Sequence, residues 1–467
     1  MAFQLDSDDD AEVDYDMVSG SFFSTSAGPA PVNALVNTPR ETPPMESDIR
    51  NDILRATGQA VESAGGDGLS ALRMRETGGV GRRPRMRPAA VSHQLLPCRP
   101  GVVVTEPFRD TLFCGQFSGD GRRFISACKD CHIRVFHADT WEEERDIEAE
   151  NIMWSVLDTA CSADGRWLAY TTWNTAIRIV NMSTGYEDAP QQQLNIGRVM
   201  LTTAIFSVRF SQASSEIIAC SSNYNVAVCD MDTLQCTLKF RAHDDDVNTV
   251  EFLDETSTLF CSGSDDGFVK VWDRRCLQGR NPAPAGVLVG HLCGVTHMNA
   301  KGDGRYLISN SKDQSIKLWD LRRMVEPAEA QRPPRSSWDY RQGIYWAPAE
   351  TQLFNGSKKH RQDCSIMTYR GHDVAHTLIR SYFSPLATTG QRYIYTGSSS
   401  GSIIIYDVVS GEKLKVLSGH IAPVRDVSWH PHSPEIVSSS WDGTIRSWRY
   451  SAEPEPPLSD ESSDEEP

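Results

Sequence analysis

The stretch Leu259–Asp273 reads LFCSGSDDGFVKVWD. Two short runs of small and apolar residues flank an Asp-Asp-Gly turn, and the second run ends in Trp-Asp. Short alternating strands joined by Asp and Gly are typical of a β-hairpin. The same pattern returns as LISNSKDQSIKLWD over Leu307–Asp320 and as IVSSSWDGTIRSW over Ile436–Trp448. A hairpin that recurs along the chain indicates a repeat protein.

Four weaker copies of the hairpin complete the series. They place residues 136, 180, 229 and 406 in the column that holds Trp272, Trp319 and Trp448. Neighbouring positions of this column are 42 to 49 residues apart, except for one gap of 87 that contains an insertion over residues 324–363. Repeats of this length are typical of propeller blades built from four short strands. We therefore predict an all-β protein, a seven-bladed WD40 β-propeller over residues 91–450.

One strand of the predicted ring has to come from the other end of the chain. After Trp448 the sequence becomes acidic and rich in Pro, so the last blade lacks its outer strand. The segment Val91–Cys98, just ahead of the first blade, is the predicted replacement. Its pairing with the last blade joins both chain ends and covers an open sheet edge.

The formal net charge of −16 is concentrated at the two ends of the chain. Residues 1–20 and residues 451–467 each hold seven acidic residues and no Lys or Arg, which leaves about −2 for the rest. Segments of this composition bury too little apolar surface to fold. We predict that residues 1–90 form a mostly disordered acidic N-terminal region and that residues 451–467 form a disordered acidic tail. Ser462 and Ser463, each followed three residues later by Glu, are candidate phosphorylation sites in that tail.

Two classes of function are not supported by the composition. The nearly neutral central part lacks the clustered Lys and Arg that phosphate contact requires, so we expect no direct binding of nucleic acid. No stretch approaches the roughly 18 apolar residues of a membrane-spanning helix, so we expect no membrane partner. The basic run Arg82–Arg87 is either an ordinary solvated segment or a nuclear import signal.

Two motifs match catalytic or metal-binding patterns but lack the required context. Gly397–Gly401 matches G-x-S-x-G, yet it lies in a predicted hairpin turn and not between a strand and a helix. Cys128 and Cys131 form a CxxC pair, and no second pair follows at a spacing that suits zinc. We therefore expect no enzymatic activity, no metal site and no cofactor.

A Gly-His or Ala-His pair precedes several predicted blades, and Trp-Asp ends two of them. In this the chain resembles the WD-repeat family, in which a His, a Ser, an Asp and the Trp form a buried, hydrogen-bonded tetrad. The resemblance implies three structural tetrads. They are His243, Ser262, Asp266 and Trp272; His291, Ser309, Asp313 and Trp319; and His420, Ser438, Asp442 and Trp448. The blades that end in Phe136, Val180 and Cys229 depart from the pattern, and we expect them to pack without the full polar set.

Two neighbouring blades end in the same pattern, W-D-x-R, over residues 272–275 and 319–322. The doubled pattern resembles the signature of substrate receptors of cullin-4-type RING ubiquitin ligases, whose arginines meet a damaged-DNA-binding-protein-type adaptor on one rim. Carried over by position, the adaptor-binding residues are Arg275, Arg322, Asp273 and Asp320. The alternative is an ordinary polar loop that favours charged residues.

Longer runs are similar to the WD-repeat-protein-23 type of these receptors. They are Asp244–Val250, Lys301–Asp320, Met367–His372 and Val424–Pro431. The resemblance implies a substrate-recognition subunit of an E3 ubiquitin ligase that presents target proteins for ubiquitination. The implied partners are the adaptor, a cullin-4-type scaffold and an unidentified protein substrate. We expect the chain to be monomeric within the complex and to be located in the nucleus and the cytoplasm. The alternative is a general WD-repeat interaction scaffold without a ligase role.

A short helix is predicted near residues 48–58. Ile49, Ile53 and Leu54 share one apolar face, and Gly58 ends the helix. So short a helix is unstable alone in water. It is therefore either transient or, as the family resemblance implies, folds on docking into the adaptor.

The insertion over residues 324–363 follows the third strand of the fifth blade. We expect it to emerge on the same rim as Arg275 and Arg322. It is rich in aromatic residues and arginines, which are typical of interface anchors. A loop of this composition either contacts a partner or folds back onto the propeller.

Overall fold

The computed structural model describes most of the central part of the chain. The described residues are 48–57, 95–106, 108–150, 152–183, 185, 189–196, 203–277, 282–333 and 359–451. Several predictions concern residues outside these ranges. They are the predicted disorder of residues 1–47, 58–90 and 452–467, the run Arg82–Arg87, the candidate sites Ser462 and Ser463, and the aromatic middle of the insertion.

The described strands form seven four-stranded antiparallel sheets, which are the blades of a β-propeller. The predicted seven-bladed WD40 fold is confirmed. The first strand of the chain, β1, is Arg99–Val104. Blade 1 holds β2 Leu112–Phe117, β3 Arg123–Cys128, β4 His132–His137 and β5 Glu143–Glu148. Blade 2 holds β6 Val156–Cys161, β7 Trp167–Thr172, β8 Ala176–Asn181 and β9 Gln192–Asn195. Blade 3 holds β10 Ile205–Phe210, β11 Glu216–Ser221, β12 Asn225–Asp230 and β13 Gln235–Arg241. Blade 4 holds β14 Val247–Phe252, β15 Leu259–Ser264, β16 Val269–Asp273 and β17 Gly286–Leu288. Blade 5 holds β18 Val295–Ala300, β19 Tyr306–Ser311, β20 Ser315–Asp320 and β21 Met367–Arg370. Blade 6 holds β22 Ser381–Phe383, β23 Tyr393–Gly397, β24 Ser402–Asp407 and β25 Lys413–Ser418. Blade 7 holds β26 Val424–Trp429, β27 Glu435–Ser440 and β28 Ile445–Arg449.

Inner and outer strands of a blade differ in burial because neighbouring blades cover only the inner ones. In β24, Ile403, Ile404 and Ile405 are at most 3% exposed, so successive residues are buried on both faces. In the outer strand β25, half-buried and exposed residues alternate over most of its length. Continuous apolar runs therefore mark inner strands, and alternation marks an outer strand with one solvated face.

The last blade is completed by a strand from the N-terminal side. β1 pairs antiparallel with β28, so segments from both ends of the propeller meet in blade 7. The predicted closure of the ring is confirmed, but the predicted segment, Val91–Cys98, was wrong. Residues 95–98 form no strand, and pairing starts at Arg99. Most of β1 is exposed, as befits an edge strand, so the apolar residues ahead of it were a misleading guide.

The alternating strand directions divide the loops between two rims. One rim carries the links between first and second strands and between third and fourth strands, and it includes Arg275 and Arg322. We call it the W-D-x-R rim. The opposite rim carries the hairpin turns between second and third strands and the links between blades.

Helix α1 (Asp48–Ala56) is packed against blades 5 and 6 of the propeller. Ile49 and Ile53 are 2% and 1% exposed, whereas Leu54 is only half-buried. The other buried members of their cluster are Tyr306, Ile308, Ile316, Leu318, Met367, Tyr369, Phe383, Ile394, Ile404, Tyr406 and Val408. A helix of nine residues depends on such packing for its stability. Its apolar face therefore lies on this chain.

Three further short helices are described in the loops. Arg274–Cys276 and Leu321–Arg323 are 3-10 turns directly after the third strands of blades 4 and 5. Helix α2 (Leu386–Thr389) links the first two strands of blade 6. Within the described part of the chain, no helix has the length and apolar character needed to cross a membrane.

The described start of the insertion leaves the W-D-x-R rim. Val325 pairs with Val287 of β17, and Arg332 forms an ion pair with Asp244, which lies in a link of the opposite rim. The chain therefore runs along the outside of the propeller from one rim toward the other. The insertion begins at the W-D-x-R rim, as predicted. Its described start then folds back onto the propeller, where Val325 and Ala330 cover an apolar surface of blade 4.

Candidate protein-binding site

The structure brings the members of each predicted tetrad together inside a blade. In blade 5, His291 Nδ1 lies 3.0 Å from Asp313 Oδ2, and its Nε2 lies 2.7 Å from Ser309 Oγ. Trp319 Nε1 donates to the same Oγ at 2.7 Å. Blades 4 and 7 repeat this geometry at 2.7 to 2.9 Å. The side chains involved there are His243, Ser262, Asp266 and Trp272, and His420, Ser438, Asp442 and Trp448. The tetrads lie inside the blades, so their role is structural.

Two opposing effects set the charge of the tetrad carboxylates. Burial raises the pKa of Asp442, but hydrogen bonds from His420 and Thr444 outweigh it and hold the pKa at about 2. Burial also raises the pKa of Asp313, but His291 and the other partners of this carboxylate together lower it by more, so that the pKa of Asp313 lies below its ordinary value. The carboxylates are therefore ionised at neutral pH and act as hydrogen-bond acceptors.

Arg275 lies on the W-D-x-R rim directly after β16. Asp273 caps the short helix that follows, because its Oδ1 accepts hydrogen bonds from the Arg275 backbone N at 3.0 Å and from Nε at 2.9 Å. Its Oδ2 lies 2.6 Å from Arg275 Nη2. These hydrogen bonds lower the pKa of Asp273. The arginine side chain is still 74% exposed, so it is oriented and open to a partner.

Arg322 repeats this arrangement in blade 5 and gains further partners. Asp320 Oδ1 accepts from its backbone N at 3.0 Å, and Asp320 Oδ2 accepts from Nη2 at 2.7 Å. Asp320 also binds Arg305 at 3.1 Å, and burial raises the pKa of Asp320. Asp48 of helix α1 lies 3.1 Å from Arg322 Nη2 and 2.6 Å from Arg305 Nη2. Helix α1 therefore adds a carboxylate beside one of the two rim arginines.

The site offers oriented positive charge. A guanidinium that one carboxylate holds by its Nε edge still has N–H donors for the carboxylates or backbone carbonyls of a second protein. The G-x-S-x-G residues 398–401 form the hairpin turn between β23 and β24, as predicted. Among the residues that the structure describes, no group of three or more His, Cys, Asp and Glu side chains is arranged to hold a metal ion. The arrangement suits recognition of a protein.

Two residues of this rim were missed from the sequence. Arg305 was not singled out, although it lies next to Tyr306, the cross-strand partner of Asp320. The register of the predicted hairpin was sufficient to place Arg305 beside Asp320. Asp48 had no comparable signal, because its contact joins segments more than 250 residues apart.

A buried ionic network near the propeller axis was also missed. Arg380 lies 2.6 Å from Asp158 and 2.9 Å from Asp426. Arg209 lies 2.7 Å from Asp158 and 3.2 Å from Glu251. Burial raises the pKa of Glu251 to about 7. Four of these residues lie in the first strands of their blades and Arg380 directly precedes the first strand of blade 6, so no local motif contains them. The network ties the blades together.

Comparison with known proteins gives results that agree with this architecture. The family model for the WD domain, G-beta repeat, matches residues 108–137, 234–273, 283–320 and 411–449. The LEC14B homolog of Prunus armeniaca is 43% identical over 74% of this chain and 73% of its own length. The LEC14B protein of Lithospermum erythrorhizon is 41% identical over 76% of each chain.

A third relative carries a more informative name. The DDB1- and CUL4-associated factor 11 homolog of Caenorhabditis elegans is 39% identical over 72% of this chain and 61% of its own length. Identities of this size extend over most of the propeller. The chain belongs to the family of WD-repeat proteins that contains LEC14B and the homologues of DDB1- and CUL4-associated factor 11.

Proposed function

We propose that this protein is a substrate receptor of a cullin-4-type E3 ubiquitin ligase. It holds a DDB1-type adaptor at the W-D-x-R rim and presents a target protein at another surface of the propeller. The name of the Caenorhabditis elegans relative, which refers to association with DDB1 and CUL4, supports this proposal.

The observation that carries the proposal is the matched pair of rim arginines. Arg275 and Arg322 occupy equivalent positions in neighbouring blades, and each is held by the Asp two residues before it. Their side chains are 74% and 61% exposed. Two oriented guanidinium groups on a rigid scaffold form a repeated contact that a partner can match with paired acceptors.

Helix α1 belongs to the proposed adaptor surface. Its Asp48 contacts Arg322, while Ile49 and Ile53 fix the helix to blades 5 and 6. An adaptor that reaches Arg322 therefore meets the exposed side of the helix, including Asn51 and Asp52. The helix contributes as a packed part of the receptor.

The test is adaptor binding by the full chain with both arginines replaced. We expect Arg275→Ala with Arg322→Ala to weaken the binding of purified DDB1-type adaptor by at least about a hundredfold, since anchor residues of this kind contribute roughly tenfold or more each. The free energy of unfolding should change by less than about 0.5 kcal/mol, as is usual for surface positions. Calorimetric titration and thermal unfolding measure the two quantities.

A matched control is available on the same rim. Arg122 and Arg166 lie in the links between the first and second strands of blades 1 and 2, with side chains 84% and 68% exposed. Arg122→Ala with Arg166→Ala removes the same amount of exposed charge and should leave adaptor binding unchanged. Equal adaptor binding by the two double variants and the parent protein would show that Arg275 and Arg322 do not form the contact. Absence of adaptor binding by the parent protein would favour the general scaffold without a ligase role.

A further inference from the structure

A chain of aromatic rings lies on the opposite rim. Trp441, Phe113, Trp154, Trp173 and Phe206 come from blade 7, blade 1, the link between blades 1 and 2, blade 2 and blade 3. The centroids of successive rings are 5.8, 5.3, 5.9 and 6.0 Å apart. The last three contacts are edge-to-face, with interplanar angles of 82°, 85° and 90°. We call this set the aromatic arc.

The arc is bordered by apolar side chains that water reaches. Trp154 is 40% exposed and its neighbour Met153 is 55% exposed. Ile421, in the link before blade 7, is 91% exposed, and its loop bonds to the Trp441 turn through Pro423 O and Trp441 N at 3.0 Å. Monomeric proteins rarely leave a contiguous apolar surface exposed unless a partner covers it. Tryptophan is also prominent among residues that anchor interfaces.

The propeller axis below the arc is closed. Arg425, which is buried, donates to Leu157 O at 3.0 Å and to Phe113 O, and its guanidinium lies 5.1 Å from the Phe113 ring. The cavity beside it has a volume of about 10 Å³, which is room for about one water molecule. A partner therefore lies across the mouth of the axis and does not enter it.

Next to the arc the opposite rim carries exposed carboxylates among basic side chains. The small cavity at the mouth is lined by Phe206 of the arc and by Asn248, whose amide donates to Asp265 at 2.9 Å. The link before blade 4 contains Asp244, Asp245 and Asp246, the first two of which are exposed. Asp244 already binds two guanidinium groups of this chain, Arg241 and Arg332. Exposed apolar side chains and an exposed carboxylate, Asp245, thus lie around one mouth.

We propose that the opposite rim binds a short segment of a partner protein that combines a large apolar or aromatic side chain with a Lys or Arg. The apolar side chain packs on the aromatic arc, and the cation pairs with Asp245. The identification of this partner as the ubiquitination substrate rests on the proposed receptor function. The binding itself is independent of the adaptor.

The experiment selects ligands from a random 12-residue peptide library displayed on phage, with the full chain as target. The enriched peptides should share a Trp, Phe, Leu, Ile or Met within a few positions of a Lys or Arg. Synthetic peptides from the selection should bind Trp154→Ser and Ile421→Ser variants at least about tenfold more weakly than the parent chain. Asp245→Lys should also weaken binding, by a factor that shrinks as salt increases.

Matched controls separate this proposal from others. Leu386→Ser removes a 59% exposed apolar side chain from the W-D-x-R rim and should leave peptide binding unchanged. Arg275→Ala with Arg322→Ala should also keep full peptide binding. If the parent chain does not bind the adaptor while the peptides still bind, the receptor proposal fails and this one stands.

Three results would overturn the proposal. They are the absence of any enriched peptide, enrichment of acidic peptides, and equal peptide binding by the parent chain and by correctly folded Trp154→Ser and Ile421→Ser variants. Because both positions are exposed, thermal unfolding within a few degrees of the parent shows that the variants are folded.

Discussion

Blades 4 and 1 have the same strand register, yet they fill the same four positions differently. Blade 4 holds His243, Ser262, Asp266 and Trp272 as a hydrogen-bonded tetrad. His243 lies four residues before the first strand of blade 4, and Phe108 occupies the same position in blade 1. Trp272 pairs across strands with Phe260, and in blade 1 Phe136 takes the place of the Trp opposite Phe124. The centroids of these two Phe rings are 5.8 Å apart.

The acid of the turn is retained in blade 1 but changes its partner. Asp130 pairs with Arg134 at 2.8 Å, and the guanidinium of Arg134 stacks on Phe108 at 5.3 Å. Ser126 donates to Cys114 O instead of meeting a Trp. A blade therefore requires side chains that fill its interior and a partner for the acidic residue of its turn. Either the polar tetrad or the aromatic side chains of blade 1, together with Arg134, meet both requirements. The tetrad is one solution among several.

The largest effect is expected in the aromatic blade. Phe136→Ala should destabilise the protein by about 3–5 kcal/mol, because it removes a 2% exposed ring and leaves a cavity beside Phe108 and Trp141. Equilibrium unfolding in urea measures the change. A cost below about 1 kcal/mol would mean that the ring does not carry the packing of blade 1.

An intermediate effect is expected when a tetrad loses its acid. Asp313→Ala should cost about 1–3 kcal/mol, since it leaves His291 and the Leu292 amide without their buried acceptor. Thermal and urea unfolding report the change. A variant that unfolds like the parent protein but loses a binding activity would show that Asp313 acts in recognition, and the structural role assigned to the tetrad would then be wrong.

The smallest effect concerns pH. The pKa of Asp442 is about 2 in the folded protein, below its ordinary value of 3.8, so its stabilising contribution is complete above pH 4 and is lost as the pH falls toward 2. Asp442→Asn cannot titrate, so its deficit in unfolding free energy relative to the parent should shrink by about 1 kcal/mol between pH 6 and pH 3. A deficit that stays constant over this range would contradict an ionised Asp442 in the tetrad.

Local patterns in the sequence were enough for the blades but not for what packs on them. The hairpins could be predicted because the Trp column and the Asp or Gly turns recur at a regular spacing. The apolar face of Ile49 and Ile53 was recognisable for the same reason, yet it does not specify its partner, and Asp48 meets Arg322 only in the folded chain. The position of the first strand was predicted wrongly, although Val102 and Val103 are β-branched residues that favour a strand even where they are exposed.

The aromatic arc shows the same limitation more clearly. Its five rings come from five separate places in the sequence, and each one alone is an ordinary residue of its blade or loop. Only the circular order of the blades brings Trp441 beside Phe113. A surface that depends on closure of the ring cannot be found in any single repeat.

Closure by β1 also has a consequence for biosynthesis. β1 leaves the ribosome first, but its partner β28 follows more than 300 residues later. At roughly 5–20 residues per second, the interval between the two is at least about 15 seconds. Throughout it, the inner strand β2 lacks its neighbour in blade 7, and β1 has no sheet to join. The nascent protein is therefore a set of blades with two open ends, and the ring can close only when blade 7 emerges.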